Sequence, residues 1–196
     1  MVDDVVLECN EMQIDAFVVP SFAVSRHEMV GLGERRQSGD DWVRLMATLT
    51  GSTPSRFIRA HPSADYLVPF PSRLSLRIDS RQSSATIASC TALSTVQAES
   101  LLRNIGLDPL IPLCQLRMTE RLLLGIEMAH AMSLKLVALS VAGLDPIGIK
   151  TVLARAAGHK PDMSFVCLFA ANHRSFHESL RVFDKIVEVM PVSEGP

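Results

Sequence analysis

The chain has 196 residues, 47% of them hydrophobic and 20% charged, with a formal net charge of −2. That is enough chain for one sizeable α/β domain with its own core, and the near-neutral balance excludes wholesale electrostatic binding of nucleic acid. The apolar runs fall short of the roughly 20 residues that span a bilayer, and the acidic opening Met1-Val2-Asp3-Asp4 is not the basic start of a signal peptide.

Val5 to Cys9 and Ala16 to Val19 read as two strands, with Asn10 to Asp15 between them. Ser21 to Asp40 is polar, carries Gly31, Gly33 and Gly39, and reads as a loop with at most a helical turn. Asp40 or Asp41 can cap a helix carrying Trp42, Val43, Leu45, Met46 and Leu49, ended by Gly51 to Pro54. The Pro- and Ser-rich region 51–72 is a surface excursion within a single domain spanning 1–196. Inside it, Tyr66 to Pro71 is extended and proline-bounded, which favours a sheet edge. Leu74, Leu76 and Ile78 alternate with Ser75 and Arg77 as in a half-buried strand, and Ser84 to Ser89 reads as the next. Thr95 to Ile105 is a helix stopped by Gly106, and Leu107 to Leu116 an apolar connector.

The stretch Thr119 to Val187 organises the rest. A helix to Leu134 leads into Leu136 to Val141, an apolar run expected of a strand buried on both faces. Asp145 and Pro146 then supply N-cap and first position of a helix with the stripe Ile149, Val152, Leu153 and Ala156, and Gly158 fits its stop. Phe165 to Ala170 is a second buried strand. Ser175 to Glu178 has capping-box spacing for a last helix carrying Phe176, Leu180, Phe183 and Val187. The two strands should be parallel, with a right-handed crossover. A ligand site then falls beyond their carboxyl ends, at Ala142 to Gly148 and Ala171 to His173.

Cys9, Cys90, Cys114 and Cys167 are scattered without a CxxC spacing. Free thiols are expected, and with them a cytoplasmic or other reducing intracellular compartment.

Glu8 and the run Ile14-Asp15-Ala16-Phe17-Val18-Val19-Pro20-Ser21-Phe22 resemble the start of a macro domain, and the helix–strand alternation after Thr119 is similar to that family's closing half. The N-terminal domain of leucine aminopeptidases is a rival relative of similar architecture. The resemblance implies a three-layer α/β/α mixed sheet and ADP-ribose or a related nucleotide as ligand. It assigns ligand contacts to Glu8, Ser21, Phe22, Gly31, Gly33, Ala142, Gly143, Gly148 and Asn172. Several positions depart from the family. Val19 and Phe22 stand for its two asparagines, Glu28-Met29-Val30 for its tri-glycine loop, and the second phosphate loop keeps glycines but neither hydroxyls nor aromatic. These departures imply a non-catalytic macro-like module with a cleft blocked at its phosphate end, binding nucleotide weakly or serving a protein partner. An ADP-ribosyl hydrolase is the alternative. No cofactor or metal is expected.

Other features have plainer readings. Gly143 and Gly148 flank a helix N-terminus suited to anions, but Asp145 can cap that same end. His173 and His177 lie four apart, without a third ligand nearby in sequence, and read as surface histidines. His130 reads as packed or hydrogen-bonded. Gly31-Leu32-Gly33 lacks the rest of a dinucleotide fingerprint. Met118, Met128 and Met132 read as core filling. Arg56, Arg59, Arg73, Arg77 and Arg81 read as a solvated face rather than an RNA patch.

Overall fold

The computed structural model describes residues 4–14, 17–34, 39–67, 82–170 and 179–192. Its centre is a mixed seven-stranded sheet. In chain order its strands are β2 (Met12–Ile14), β3 (Phe17–Val19), β5 (Met29–Glu34), β7 (Ala64–Leu67), β8 (Leu136–Ser140), β9 (Ser164–Ala170) and β10 (Lys185–Pro191). Their spatial order is β2-β3-β10-β5-β9-β8-β7. A separate three-stranded antiparallel sheet orders β4 (Phe22–Ser25), β1 (Val5–Cys9) and β6 (Ile58–Ala60).

The unit expected from the sequence forms within the large sheet, between β5 and β7. β8 and β9 are parallel neighbours, with Leu136 opposite Ser164 and Ser140 opposite Leu168. Both are buried on both faces apart from the half-buried Ala170. Between them runs α5 (Pro146–His159), with Asp145 as N-cap and Ile149, Val152, Leu153 and Ala156 buried. Gly158 does not stop this helix, which continues through it to His159. α4 (Met118–Ala131) covers the same face of the sheet.

Side chains alternate across the sheet and divide the core in two. Val30, Leu32, Leu136, Ala138, Val166 and Leu168 pack toward α1 (Gly39–Leu49) and the small sheet, with Trp42, Leu45, Leu7 and Val24. Met29, Val137, Leu139, Phe165, Cys167 and Phe169 pack toward α4 and α5, with Leu122, Ile126, Val152 and Leu153. α2 (Ser83–Cys90) and α3 (Thr95–Asn104) form a third cluster on the far side of α4, joining Ile87, Ala98 and Leu102 to Leu124 and Met128. The connector after Gly106, whose φ is +76°, ends in a 3-10 turn at Leu113–Gln115.

Three expectations are corrected. The polar stretch 21–40 contains β4 and β5, and β5 is a central strand, parallel to β9 on one side and β10 on the other. Gly31 and Gly33 are therefore strand residues, buried against aromatic rings. A Cβ on Gly31 would come within 2.8 Å of Phe169 Cε1, and one on Gly33 within 2.9 Å of Phe169 Cζ. Phe169 and Phe183 stack at 5.6 Å over this strand, so the glycines make room for rings contributed from elsewhere. Second, Ser83–Cys90 is a helix rather than a strand; its fully buried Ile87 faces α3. Third, the expected final helix gives way to a 3-10 turn at Ser179–Val182 and then β10, so Val187 lies in a strand opposite Leu32. Leu74 to Ile78 and the capping-box residues 175–178 lie outside the described residues.

Candidate functional site

Parallel β5, β9, β8 and β7 end together, at Glu34, Ala170, Ser140 and Leu67. This carboxyl edge is where open α/β sheets hold ligands. The described connection there runs from β8 into α5. The Val141 N–H donates to the Leu168 carbonyl at 3.0 Å, and the Ala142 N–H to Ser140 Oγ at 3.3 Å. Gly143 takes φ +82°, a left-handed turn that favours glycine. Asp145 Oδ1 then accepts the Gly148 N–H at 2.8 Å. An added Cβ on Gly148 would lie 2.5 Å from Thr119 Oγ1, and one on Gly143 4.0 Å from Met118 Cε. The helix N-terminus is thus capped by its own carboxylate and abutted by the start of α4, in line with the plainer sequence reading.

The remaining sequence-derived positions are spread over the fold. Glu8 sits on β1, half exposed, with its carboxylate 3.6 Å from Arg59 Nη1. Phe22 pairs with Cys9 in the small sheet and is buried in the core. Ser21 Oγ accepts the Glu11 N–H at 2.8 Å. Gly31 and Gly33 lie within β5, under Phe169. Ala142, Gly143 and Gly148 alone share the carboxyl-edge turn. Asn172, His173 and His177 lie outside the described residues, as do Arg73, Arg77 and Arg81.

Two buried thiols are chemically quiet. Burial pushes Cys9 up to about 12 and raises Cys167 as well, so neither is a nucleophile at neutral pH. Cys9, Cys114 and Cys167 are free thiols, as expected, with Cys114 exposed.

Sequence reading missed the connection from β5 to α1. β5 ends at Glu34 and α1 begins at Gly39, and a strand leading on to a helix is the setting of a phosphate loop, strand–GxxxxGK[ST]–helix. Here the sequence runs Gly33-Glu34-Arg35-Arg36-Gln37-Ser38-Gly39-Asp40-Asp41. With Gly39 as the second glycine of that pattern, Glu34 stands at the first, Asp40 at the lysine and Asp41 at the Ser/Thr. The available signal was Gly39 opening an amphipathic helix. It was obscured because β5 itself had been read as loop.

A scan of protein-family models finds no match to the chain, and no curated protein matches it in sequence. Solved structures do match in fold. cbiO1 from Clostridium perfringens, part of the ABC transporter complex cbiONQ, superposes with a TM-score of 0.66 at 14% identity, over 95% of this chain and 87% of that one. MJ1267 in its ADP conformation, an ATP-binding cassette of an ABC transporter, gives 0.63 at 13% identity, over 95% and 89%. A putative metal-chelate type ABC transporter in an inward-facing conformation gives 0.63 at 17% identity, over 84% and 73%. These likenesses overturn the macro-domain resemblance, and with it the ADP-ribose module and the ADP-ribosyl hydrolase. The physical reason lies in β5 and β10. The stretch taken for a ligand loop is a central strand, and the stretch taken for a closing helix is the strand beside it. The mixed α/β fold is compatible with that of the ATP-binding cassettes it superposes on.

Proposed function

We propose that this chain is an ATP-binding-cassette-type subunit that lacks its own phosphate-gripping groups and works beside a partner cassette that hydrolyses ATP. The fold likeness to cbiO1 and MJ1267 supports the cassette part of this reading. The observation that carries the rest is the pair Asp40-Asp41 following Gly39 at the start of α1. In phosphate loops the lysine reaches the β- and γ-phosphates, and the Ser/Thr hydroxyl holds Mg²⁺. Aspartate at the lysine position replaces attraction for the phosphates by repulsion. The carboxylate that helps hold Mg²⁺ in such enzymes is also lacking at the end of β8, which reads Leu139-Ser140. The first carboxylate beyond it, Asp145, is committed to capping α5.

Losing two charge-assisted contacts of about 1.5–3 kcal/mol each weakens ATP by about 3–6 kcal/mol if the losses add, or roughly 10²- to 10⁴-fold. A partner at the carboxyl edge is supported by exposed apolar side chains on the first turns of α4 and α5. Ile147 is 79% exposed and Met118 36%. Among the described residues no helix is long and apolar enough to cross a membrane.

The test is titration of the full chain with Mg·ATP, together with a phosphate-release assay. Weak binding and no turnover above a heat-inactivated control are expected. Asp40→Lys combined with Asp41→Ser should tighten ATP at least ~10-fold. Mg²⁺-dependent turnover by the unmodified chain would overturn the proposal, and so would a double variant that binds no better.

A further inference from the structure

The amino edge of the sheet, opposite the candidate site, carries a cluster that the cassette reading does not use. α4 ends at Ala131 before β8, and α5 ends at His159 before β9. Their last turns bring together His130 and His159, whose rings lie 4.4 Å apart between centroids. Asp162, in the turn leading to β9, reaches His130 Nε2 with Oδ2 at 3.2 Å. One donor atom from each of His130, His159 and Asp162 lies within 4.8 Å of the other two.

We propose that His130, His159 and Asp162 form a binding site for a divalent zinc-type metal ion, closed on the protein side and open to water on the other. Two imidazoles and one carboxylate are the donor set of three-ligand zinc sites, which keep a fourth position for water or substrate. Zn²⁺ at about 2.0–2.1 Å from each ligand holds the ligand atoms roughly 3.4 Å apart. The His130–Asp162 separation of 3.2 Å already meets this. The remaining contraction falls on exposed side chains, since His130 and Asp162 are 42% and 62% exposed and turn at little cost.

His159 is held from behind. Its Nε2 lies 2.7 Å from Glu127 Oε1. Glu127 is 4% exposed and also accepts a hydrogen bond from Arg155 Nε. A carboxylate at that distance accepts a hydrogen bond from Nε2–H, which leaves Nδ1 as the lone-pair nitrogen. This is the carboxylate–histidine arrangement that orients metal-ligating imidazoles and raises their basicity. The field also favours a cation. Two helices end here, each with carbonyls unpaired within the helix and a partial negative charge. Glu127 offsets Arg155, Lys160 is engaged by Asp184, and Asp162 contributes the uncompensated negative charge.

The rival account is a purely hydrogen-bonded network, in which each imidazole serves its carboxylate and no metal binds. Titration of the full chain with ZnCl₂ alone separates the two, with Co²⁺ absorption reporting the coordination geometry. Binding of a single ion with a Kd on the order of micromolar, and a Co²⁺ spectrum typical of nitrogen and oxygen ligation, are expected. His130→Gln and Asp162→Asn, both at exposed positions, should each weaken zinc at least ~10-fold while leaving thermal unfolding of the metal-free chain unchanged. Glu127→Gln should weaken it roughly 10- to 100-fold. Failure of the unmodified chain to bind at about 100 µM zinc, or undiminished binding by the His130→Gln/Asp162→Asn variant, would overturn the proposal.

Discussion

The two ends of α5 face opposite chemistries. At the amino end, Asp145 takes the Gly148 amide and Thr119 of α4 presses against the same glycine, so the positive end of the helix is closed by its own chain. At the carboxyl end, His159 is the last helical residue, Glu127 of α4 is buried behind it, and His130 and Asp162 stand exposed in front. A helix N-terminus is ready-made for anions, and here it is used up. The C-terminus, suited to cations, collects imidazole and carboxylate. The difference teaches that α4 decides both ends. Its first turn fills the space over the α5 cap, and its last turns supply the acid and the second histidine.

The largest expected effect comes from breaking the carboxyl end. Glu127→Ala removes the shared buried acceptor of Arg155 and His159, and losing hydrogen bonds to a charged group costs about 1.5–3 kcal/mol. Urea unfolding should register this as a lower midpoint at an unchanged slope. A change below about 0.5 kcal/mol would mean that the carboxylate holds nothing in place.

A pair of glycine substitutions sharpens the contrast between the ends. Gly148→Ala drives a Cβ to 2.5 Å from Thr119 Oγ1 and should destabilise by about 1–3 kcal/mol. Gly158→Ala meets nothing within 4 Å and should stabilise the same helix by about 0.5–1 kcal/mol through backbone entropy. Thermal melts of the two variants should move in opposite directions. Equal shifts would show that the amino end is not tightly packed.

The smallest effect is a pH dependence just past the carboxyl end. Partial burial of Asp184 works to raise its pKa, but Lys160 and the Met29 N–H, at 2.7 Å, together hold it below the usual carboxylate value. A carboxyl depressed in the folded state adds stability that is present above the unfolded value near 4 and is lost as pH falls through the folded one. Stability of the unmodified chain should therefore drop more steeply below about pH 4 than that of Asp184→Asn. Parallel pH profiles would refute the linkage.

Legibility followed how local each signal was. The β8–α5–β9 unit could be read because its strands are apolar on both faces and its helix carries both an Asp-Pro start and an apolar stripe. α1 and α3 were legible for similar reasons, α1 through its apolar positions and α3 through the stop at Gly106. β5 was not, because glycine is an ordinary sign of a turn. Gly31 and Gly33 are needed only where Phe169 and Phe183 arrive from distant parts of the chain. β10 was misread because Phe183 and Val187 happen to fall at helical spacing, whereas Val187 pairs beside β5. With both strands misplaced, Gly31 and Gly33 were assigned to a ligand loop, and the succession of β5 and α1 went unnoticed.

By itself the sequence determined the buried parallel pair, the capped helix between them and the free thiols. Those follow from residue type and short-range spacing, where a side chain meets its own backbone or its near neighbours. Tertiary structure alone decided that β5 lies at the centre of the sheet, that β10 is a strand, and that His130, His159, Asp162 and Glu127 meet at one edge. Each of these rests on contacts between residues 29 to 155 positions apart in the chain. Such contacts depend on which strands pair and how two helices end against each other, and no local periodicity encodes that.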